Sequence, residues 1–169
     1  MEYGQAISDA GLVPPMCVDV PTDEDLIRSI AKRDRRAMLL LFARHKLHTF
    51  RFLLRIVDDQ AEDLLNEVFL EVWRTANRFD ARSRVRTWIL SIARSKARSA
   101  LPQCSLAALD DEAVESIEVM DLIYYHEQSV EEVARIIGVP ESTVRTRVFH
   151  ARKRLADLRA AQDVEPACL

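Results

Sequence analysis

Apolar residues recur every three or four positions in several separate segments of the chain, a period that predicts helices rather than strands. Thr22 followed by Asp23, Glu24 and Asp25 reads as a helix start, with a capping hydroxyl and three acids at the positive end of the helix dipole. A first helix is expected from 23 to about 33. A longer second one, from about 35 to 57, carries Met38, Leu39, Phe42, Leu47, Phe50, Leu53, Leu54 and Val57. Asp58 and Asp59 interrupt the pattern. A third helix over about 60–76 has Leu64, Leu65, Val68, Phe69, Val72 and Trp73 on one side, and a fourth over 85–100 has the stripe Val85, Trp88, Ile89, Ile92 and Ala93. Between these two, residues 77–84 have no apolar periodicity apart from Phe79 and read as a loop.

Pro102 marks a break, because the residue before a proline is disfavoured in the helical region. A fifth helix is expected over about 110–126, followed by two shorter elements around Gly138. The chain therefore divides into a leader at 1–22 (with Pro14, Pro15 and Pro21), a four-helix unit at 23–101, a short linker at 102–109, a three-helix unit at 110–162 and a tail at 163–169. The fold class is all-α: two small helical domains joined by an unusually short linker.

Composition agrees. Only 3 glycines in 169 residues are too few for an all-β or dinucleotide-binding fold, which needs glycine in turns and phosphate loops. The longest apolar run, 37–43, is too short to cross a membrane, and the start Met-Glu-Tyr-Gly does not read as a signal peptide. Cys17, Cys104 and Cys168 lack any ligand or framework spacing, which fits a reducing cytoplasm.

The net charge of −3 hides a pattern of blocks. Residues 58–71 carry six acids and no base; 78–98 carry seven bases against Asp80; 110–132 are acidic again; 145–159 carry six bases against Asp157. Separated blocks of this kind predict surfaces that meet different partners, or else solvated helix faces.

The most specific local motif lies at 129–155. Ser129 and Glu132 form a capping box, Gly138 ends the helix that follows, and Pro140 suits the first turn of the next. Ala134, Gly138 and Val144 have the spacing of a DNA-binding helix-turn-helix: a small residue at the helix crossing, a turn glycine and an inward apolar anchor. On the second helix Val144, Val148, Ala151 and Leu155 share a buried stripe. Arg145, Thr146, Phe149, His150 and Lys153 face the other way, with Arg147, Arg152 and Arg154 on the flanks to reach phosphates. A solvent-facing Phe149 beside Arg145 and Thr146 is explained by contact with a thymine methyl.

The string Ala61-Glu62-Asp63-Leu64-Leu65-Asn66-Glu67-Val68-Phe69, then Val72-Trp73, Arg78-Phe79-Asp80 and Arg86-Thr87-Trp88, resembles the extracytoplasmic-function (ECF) group of sigma-70 factors. So does the run from Val144-Arg145-Thr146-Arg147 through Ala151-Arg152-Lys153-Arg154-Leu155, which looks like that family's −35-binding helix. The resemblance covers about residues 23–101 and 105–160. It implies a four-helix region 2 and a helix-turn-helix region 4, with core RNA polymerase, promoter DNA and an anti-sigma factor as partners, and a role in stress-responsive transcription in the cytoplasm.

It also assigns roles. Glu62, Asp63, Asn66, Glu67 and Glu71 would dock on the basic coiled coil of the polymerase β′ subunit, where opposite potentials speed encounter. Phe79 and the start of the fourth helix would shape a pocket for the −10 element, with Arg82, Arg84, Arg86, Arg94 and Arg98 on phosphates and Ser95 beside the flipped base. Opening would be driven by binding energy alone: extruding a base costs a few kcal/mol, and an aromatic floor returns roughly 1–3 kcal/mol per stacked base. Arg145, Thr146, Arg147, Phe149, His150, Arg152 and Lys153 would read the −35 element. Val85 stands where the family commonly has an aromatic, and Ser95 where an Asn often reads the base. The joint is short as well. Roughly ten residues reach at most about 35 Å, against about 60 Å for a spacer of about 17–18 base pairs. Such a joint could hold the two domains together and mask both DNA surfaces.

Two other readings stay open at this level: a sigma-like decoy that sequesters an anti-sigma factor, and a helix-turn-helix regulator that binds duplex unaided. An enzyme is disfavoured, because His45, His48, His126 and His150 form no ligand or triad spacing, so no catalytic residue, metal or cofactor is expected.

Overall fold

In the computed structural model, residues 20–101 and 111–162 are described, and within 111–162 the side chains of 115–159. The leader before residue 20, the linker and the tail lie outside the described residues. All regular structure among them is helical: α1 (Asp23–Ala31), α2 (Arg35–Val57), α3 (Ala61–Thr75), α4 (Val85–Ala100), α5 (Asp111–Met120), α6 (Val130–Ile137) and α7 (Glu141–Gln162). One-turn 3-10 segments precede and follow α3, and a π turn, Asp121–Tyr125, continues α5.

Local chemistry sets the boundaries. At α1, Thr22 Oγ1 accepts from the Asp25 amide at 3.2 Å while the Thr22 amide donates to Asp25 Oδ2 at 3.1 Å, a reciprocal box that satisfies two donors. Asp34 caps α2 by accepting from the Arg36 amide at 2.8 Å. Asp58, with φ at +43°, stops α2. The π turn closes through the His126 amide onto the Asp121 carbonyl at 3.1 Å, so the single helix expected over 110–126 changes geometry at residue 121.

Helices α1–α4 form one bundle. Leu26, Ile27 and Ile30 of α1, Leu41, Phe52 and Leu53 of α2, Leu64, Val68 and Val72 of α3, and Val85, Ile89, Leu90 and Ala93 of α4 fill its core. The stripe expected on α2 is corrected. That helix buries Ala37, Leu41, His45, Thr49, Phe52 and Leu53, and leaves Leu39, Leu47 and Leu54 exposed. Apolar residues surround α2, so periodicity alone does not show which arc packs. Trp88 and Ile92, expected in the core stripe of α4, are only partly buried; Ala97 and the polar Thr87 and Arg94 are buried on that helix as well.

Helices α5–α7 build the second unit around Val119, Leu122, Val133, Ile136 and Val144. Leu155, placed on the buried stripe of α7, is 52% exposed, because α7 extends past the bundle. The buried residues of both units form one contiguous cluster, joined where α4 packs on α6.

His45 is buried, and its Nε2 lies 2.7 Å from Asp23 Oδ2, while Arg44 Nη1 bonds Asp23 Oδ1 at 2.8 Å. Burial holds the His45 imidazole below its ordinary range despite Asp23. Burial, then Arg86 and His126, does the same to His48. Asp23 is pushed up by burial, but Arg44 and His45 together hold it below the usual carboxylate range. For the imidazoles, the unfolded chain takes up protons near pH 6.5 while the folded chain resists them. Their contribution to stability is thus present above that pH and is lost as pH falls below it. The Tm should drop between pH 7.5 and 5.5. A Tm that holds or rises over this interval would contradict the burial of neutral imidazoles.

Candidate nucleic-acid interface

On α3 the apolar stripe turns inward and leaves Glu62, Asp63, Asn66 and Glu67 exposed, with Glu71 half-buried 4.0 Å from Arg74. Glu67 meets Lys96 at 3.4 Å across a cleft between α3 and α4. Exposed Leu70 sits among these acids. The result is a continuous acidic face with one apolar position, set on a rigid helix.

The helix-turn-helix forms as its residues dictate. Ser129 Oγ accepts from the Glu132 amide at 3.2 Å, and Glu132 Oε2 accepts from the Ser129 amide at 2.9 Å. Gly138 takes φ +77°, a conformation that costs a side-chain-bearing residue steric energy, and its amide closes onto the Ala134 carbonyl at 2.8 Å. Val144 is fully buried against this corner. The helix that follows presents Arg145, Thr146, Phe149, His150, Arg152 and Lys153 outward. Phe149 is 64% exposed, which forgoes about 1–2 kcal/mol of burial and so marks a contact surface. Arg145 is held by Glu141 at 2.8 Å, and Arg152 Nε donates to the Tyr124 hydroxyl at 2.9 Å. Arg147 behaves differently from its expected place on the phosphate flank: it turns inward, half-buried, and pairs with Glu115.

The residues expected at the −10 element divide into two groups. Phe79 packs on Trp88 with ring centroids 5.2 Å apart, and Ser95 is exposed on the same outer side of α4 as the half-buried Ile92. Arg82 is exposed and pairs with Asp80 at 3.2 Å. The other arginines turn toward the second unit. Arg94, with its side chain only 8% exposed, donates through Nε to Glu118 Oε1 at 2.6 Å, through Nη2 to Glu118 Oε2 at 3.3 Å, and through Nη1 to the Ile137 carbonyl at 2.9 Å. Arg84 lies 3.4 Å from Glu132, Arg98 3.9 Å from Glu115, and Arg86 Nη1 donates to the His126 carbonyl at 3.4 Å. The helical angle explains the split, since Arg94 and Ser95 stand about 100° apart around α4.

Several residues of this interface escaped sequence reasoning. Thr87 Oγ1 is within hydrogen-bond reach of both Gln128 Oε1, at 2.9 Å, and Glu132 Oε1, at 3.1 Å. Burial pushes the Glu132 carboxyl up, but hydrogen bonds from Ser129 and Thr87, with Arg84 nearby, hold it below the usual carboxylate range. His126 is fully buried between Phe52 and Tyr125, with ring centroids 5.6 and 5.1 Å away. Its Nε2 lies 3.4 Å from Asp121 Oδ2 without hydrogen-bond alignment. Asp121 is paired in turn with Arg55 at 2.9 Å. Nothing local marks His126 or Asp121 as interface residues, because Phe52 and Arg55, which they meet across it, lie on a helix some 65 to 75 residues earlier. The one legible signal was charge, because the acidic block at 110–132 faces the basic block at 78–98.

Among the described residues no group of three or more His, Cys, Asp or Glu could hold a metal ion, and no helix is long and apolar enough to cross a membrane. Replacing Glu132 with Ala should remove the carboxylate half of the α6 capping box and the tie to Thr87 together, costing roughly 2 kcal/mol. A urea titration checks this; a loss under about 0.5 kcal/mol, the range of ordinary surface substitutions, would rule out the double role.

Two family models match the chain: Sigma-70 region 2 over residues 41–103, and Sigma-70 region 4 over residues 118–155. Among curated proteins, the chain is 24% identical over 176 aligned residues to the RNA polymerase sigma-H factor of Pseudomonas aeruginosa, covering 79% of this chain and 91% of that protein. It is 28% identical over 168 residues to the ECF RNA polymerase sigma factor SigM of Mycobacterium tuberculosis, covering 81% and 84%. Among solved structures, CnrH in complex with the cytosolic domain of CnrY aligns with a TM-score of 0.66 at 24% identity, over 82% of this chain and 97% of that one. The sigma factor RpoE of Bartonella quintana, in complex with the anti-sigma factor NepR, aligns with a TM-score of 0.58 at 22% identity, over 70% and 94%. These two structural likenesses speak for the fold.

Proposed function

Since the chain belongs to the ECF group of the sigma-70 family, we propose that its charged surfaces divide the work of a sigma factor among themselves. The protein binds core RNA polymerase and directs it to promoters, recognising −35 and −10 elements and melting the DNA. In this reading, Glu62, Asp63, Asn66, Glu67 and Glu71 on α3 meet the basic coiled coil of β′. Arg145, Thr146, Phe149, His150 and Lys153 read the −35 duplex, with Arg152 beside them. Phe79, Arg82 and Ser95, with Arg84, Arg86, Arg94 and Arg98 once these are released, serve the −10 strand. Arg147 is kept as a −35 residue only on condition that it leaves Glu115. The domain limits at 23–101 and 110–162, joined by 102–109, belong to the same proposal.

The observation that carries this reading is the outward Phe149 between Arg145 and Lys153. It is a solvent-exposed aromatic on a basic recognition helix, touched at its edge by His150, while Glu62, Asp63, Asn66 and Glu67 of the α3 face are exposed on the other unit. A decoy that only sequesters an inhibitor has no use for Phe149 in that place, and a regulator acting unaided has no use for the α3 face. The protein works in the cytoplasm, where the polymerase is, and needs no catalytic group or cofactor of its own. RpoE of Bartonella quintana is held by an anti-sigma factor, and a partner of that kind is proposed here.

Replacing both Asp63 and Glu67 with Lys should abolish co-elution with core polymerase and leave the circular dichroism spectrum unchanged; retained binding refutes the docking assignment. Arg145→Ala should cost about 1–3 kcal/mol at particular base pairs of the −35 site. An equal loss on every sequence, seen in binding to a set of single-base variants, would make it a phosphate contact instead.

A further inference from the structure

We infer that the second unit acts as a built-in mimic of nucleic acid for the first: its carboxylates occupy the arginines that a DNA strand would need, while the recognition helix stays open. The inference rests on the reading of α4 and its preceding loop as a DNA surface, and goes beyond it in stating which surface is closed and by what.

Arginine forks bind carboxylates and phosphates through the same pair of parallel N–H donors. Arg94 spends its fork on Glu118 at 2.6 and 3.3 Å and its remaining Nη1 on the Ile137 carbonyl at 2.9 Å, in a setting where the guanidinium is almost wholly buried. No phosphate can reach it in this arrangement. Arg84, Arg86 and Arg98 are each directed at an acceptor of the second unit: Glu132, the His126 carbonyl and Glu115. Arg135 of α6 donates to the Arg82 carbonyl, which fixes the loop that carries Arg82. The contacts form a row: acids of the 110–132 block meet Arg98, Arg94 and Arg84, Arg86 meets the His126 carbonyl, and at the far end Arg135 holds the Arg82 backbone.

The occlusion is one-sided. Arg145, Thr146, Phe149, His150 and Lys153 are all exposed. The free protein therefore retains a duplex-reading surface while four of its strand-binding arginines, Arg84, Arg86, Arg94 and Arg98, are engaged and Arg82 stays exposed, rather than masking both. Engaging the −10 strand requires the two units to separate, so strand capture is coupled to whatever draws them apart.

The test uses the full chain without polymerase and two probes in fluorescence anisotropy: labelled oligo-dT single strand and a labelled mixed-sequence duplex. Glu118→Gln keeps the shape of the contact and removes its charge, and Glu118→Arg sets a cation against Arg94. Asp59→Asn is the control, exposed and equal in charge change to Glu118→Gln. If the closed form holds about nine-tenths of the molecules, releasing it tightens single-strand binding about tenfold. The expected result is that gain for the Glu118 variants, under about twofold change for Asp59→Asn, and a larger radius of gyration by small-angle scattering. Duplex affinity should rise less than single-strand affinity. The inference is overturned if the variants expand without binding the single strand more tightly. It is equally overturned if they neither expand nor change in affinity, or if the control matches them. Co-elution of the wild-type chain with core polymerase is measured alongside. Its failure would overturn the sigma-factor reading, whereas single-strand affinity alone bears on the closure of the α4 arginines by the second unit.

Discussion

The arrangement of the whole molecule depends on one buried ion pair. Arg94 is a cation taken out of water, and burying it without partners would be prohibitive. Glu118 and the Ile137 carbonyl together satisfy three of its nitrogens, and removing one partner from a buried pair of this kind typically costs about 3–5 kcal/mol. The exposed pairs Arg145–Glu141 and Arg28–Asp25 belong to a class worth about 0–1 kcal/mol and decide nothing about domain position. Arg94 thus ties α4 to both α5 and the end of α6. Thr87, Gln128 and Glu132 add a second tie one to two turns away along α4.

That interface explains features that look unrelated when taken singly. The π turn at Asp121–Tyr125 lets the chain bury His126 against Phe52 while aiming Asp121 at Arg55; an uninterrupted helix would carry these two groups to other angles. Glu127 then takes φ +53°, a left-handed conformation unusual for a side-chain-bearing residue, held between the buried His126 and Gln128. Glu132 caps α6 and reaches across to Thr87 with the same carboxylate. The capping box thus sets the helix start and its position against α4 together.

Much of this was legible in the chain and some was not. Helix starts at Thr22 and Ser129, the turn at Gly138, and the inward Val144 follow from local chemistry and stand in the structure as expected. The outward acids of α3 and outward Phe149 follow from helical angle, because Leu64, Leu65, Val68 and Val72 of α3 and Val144 and Ala151 of α7 fix the buried side of each helix. On α2 the same reasoning failed, since leucines surround the helix and packing partners choose the arc. Leu39, Leu47 and Leu54 stay outside while polar His45 and Thr49 go in. Arg94 and Arg98 were placed on DNA by family resemblance, and Arg147 by its angle on the flank of α7. Their present partners, Glu118 and Glu115, lie 17 to 32 positions away and could not be paired from spacing. The charge blocks held that information in coarse form: two of them complement each other within one molecule.

The central claim is that this polypeptide gives polymerase its choice of promoter, and in vitro transcription of a random promoter library by core polymerase, with and without the chain, tests it most directly. The account predicts transcripts that depend on the chain and share two sequence elements upstream of the start, one for each unit. Identical transcript pools in the two reactions would contradict it.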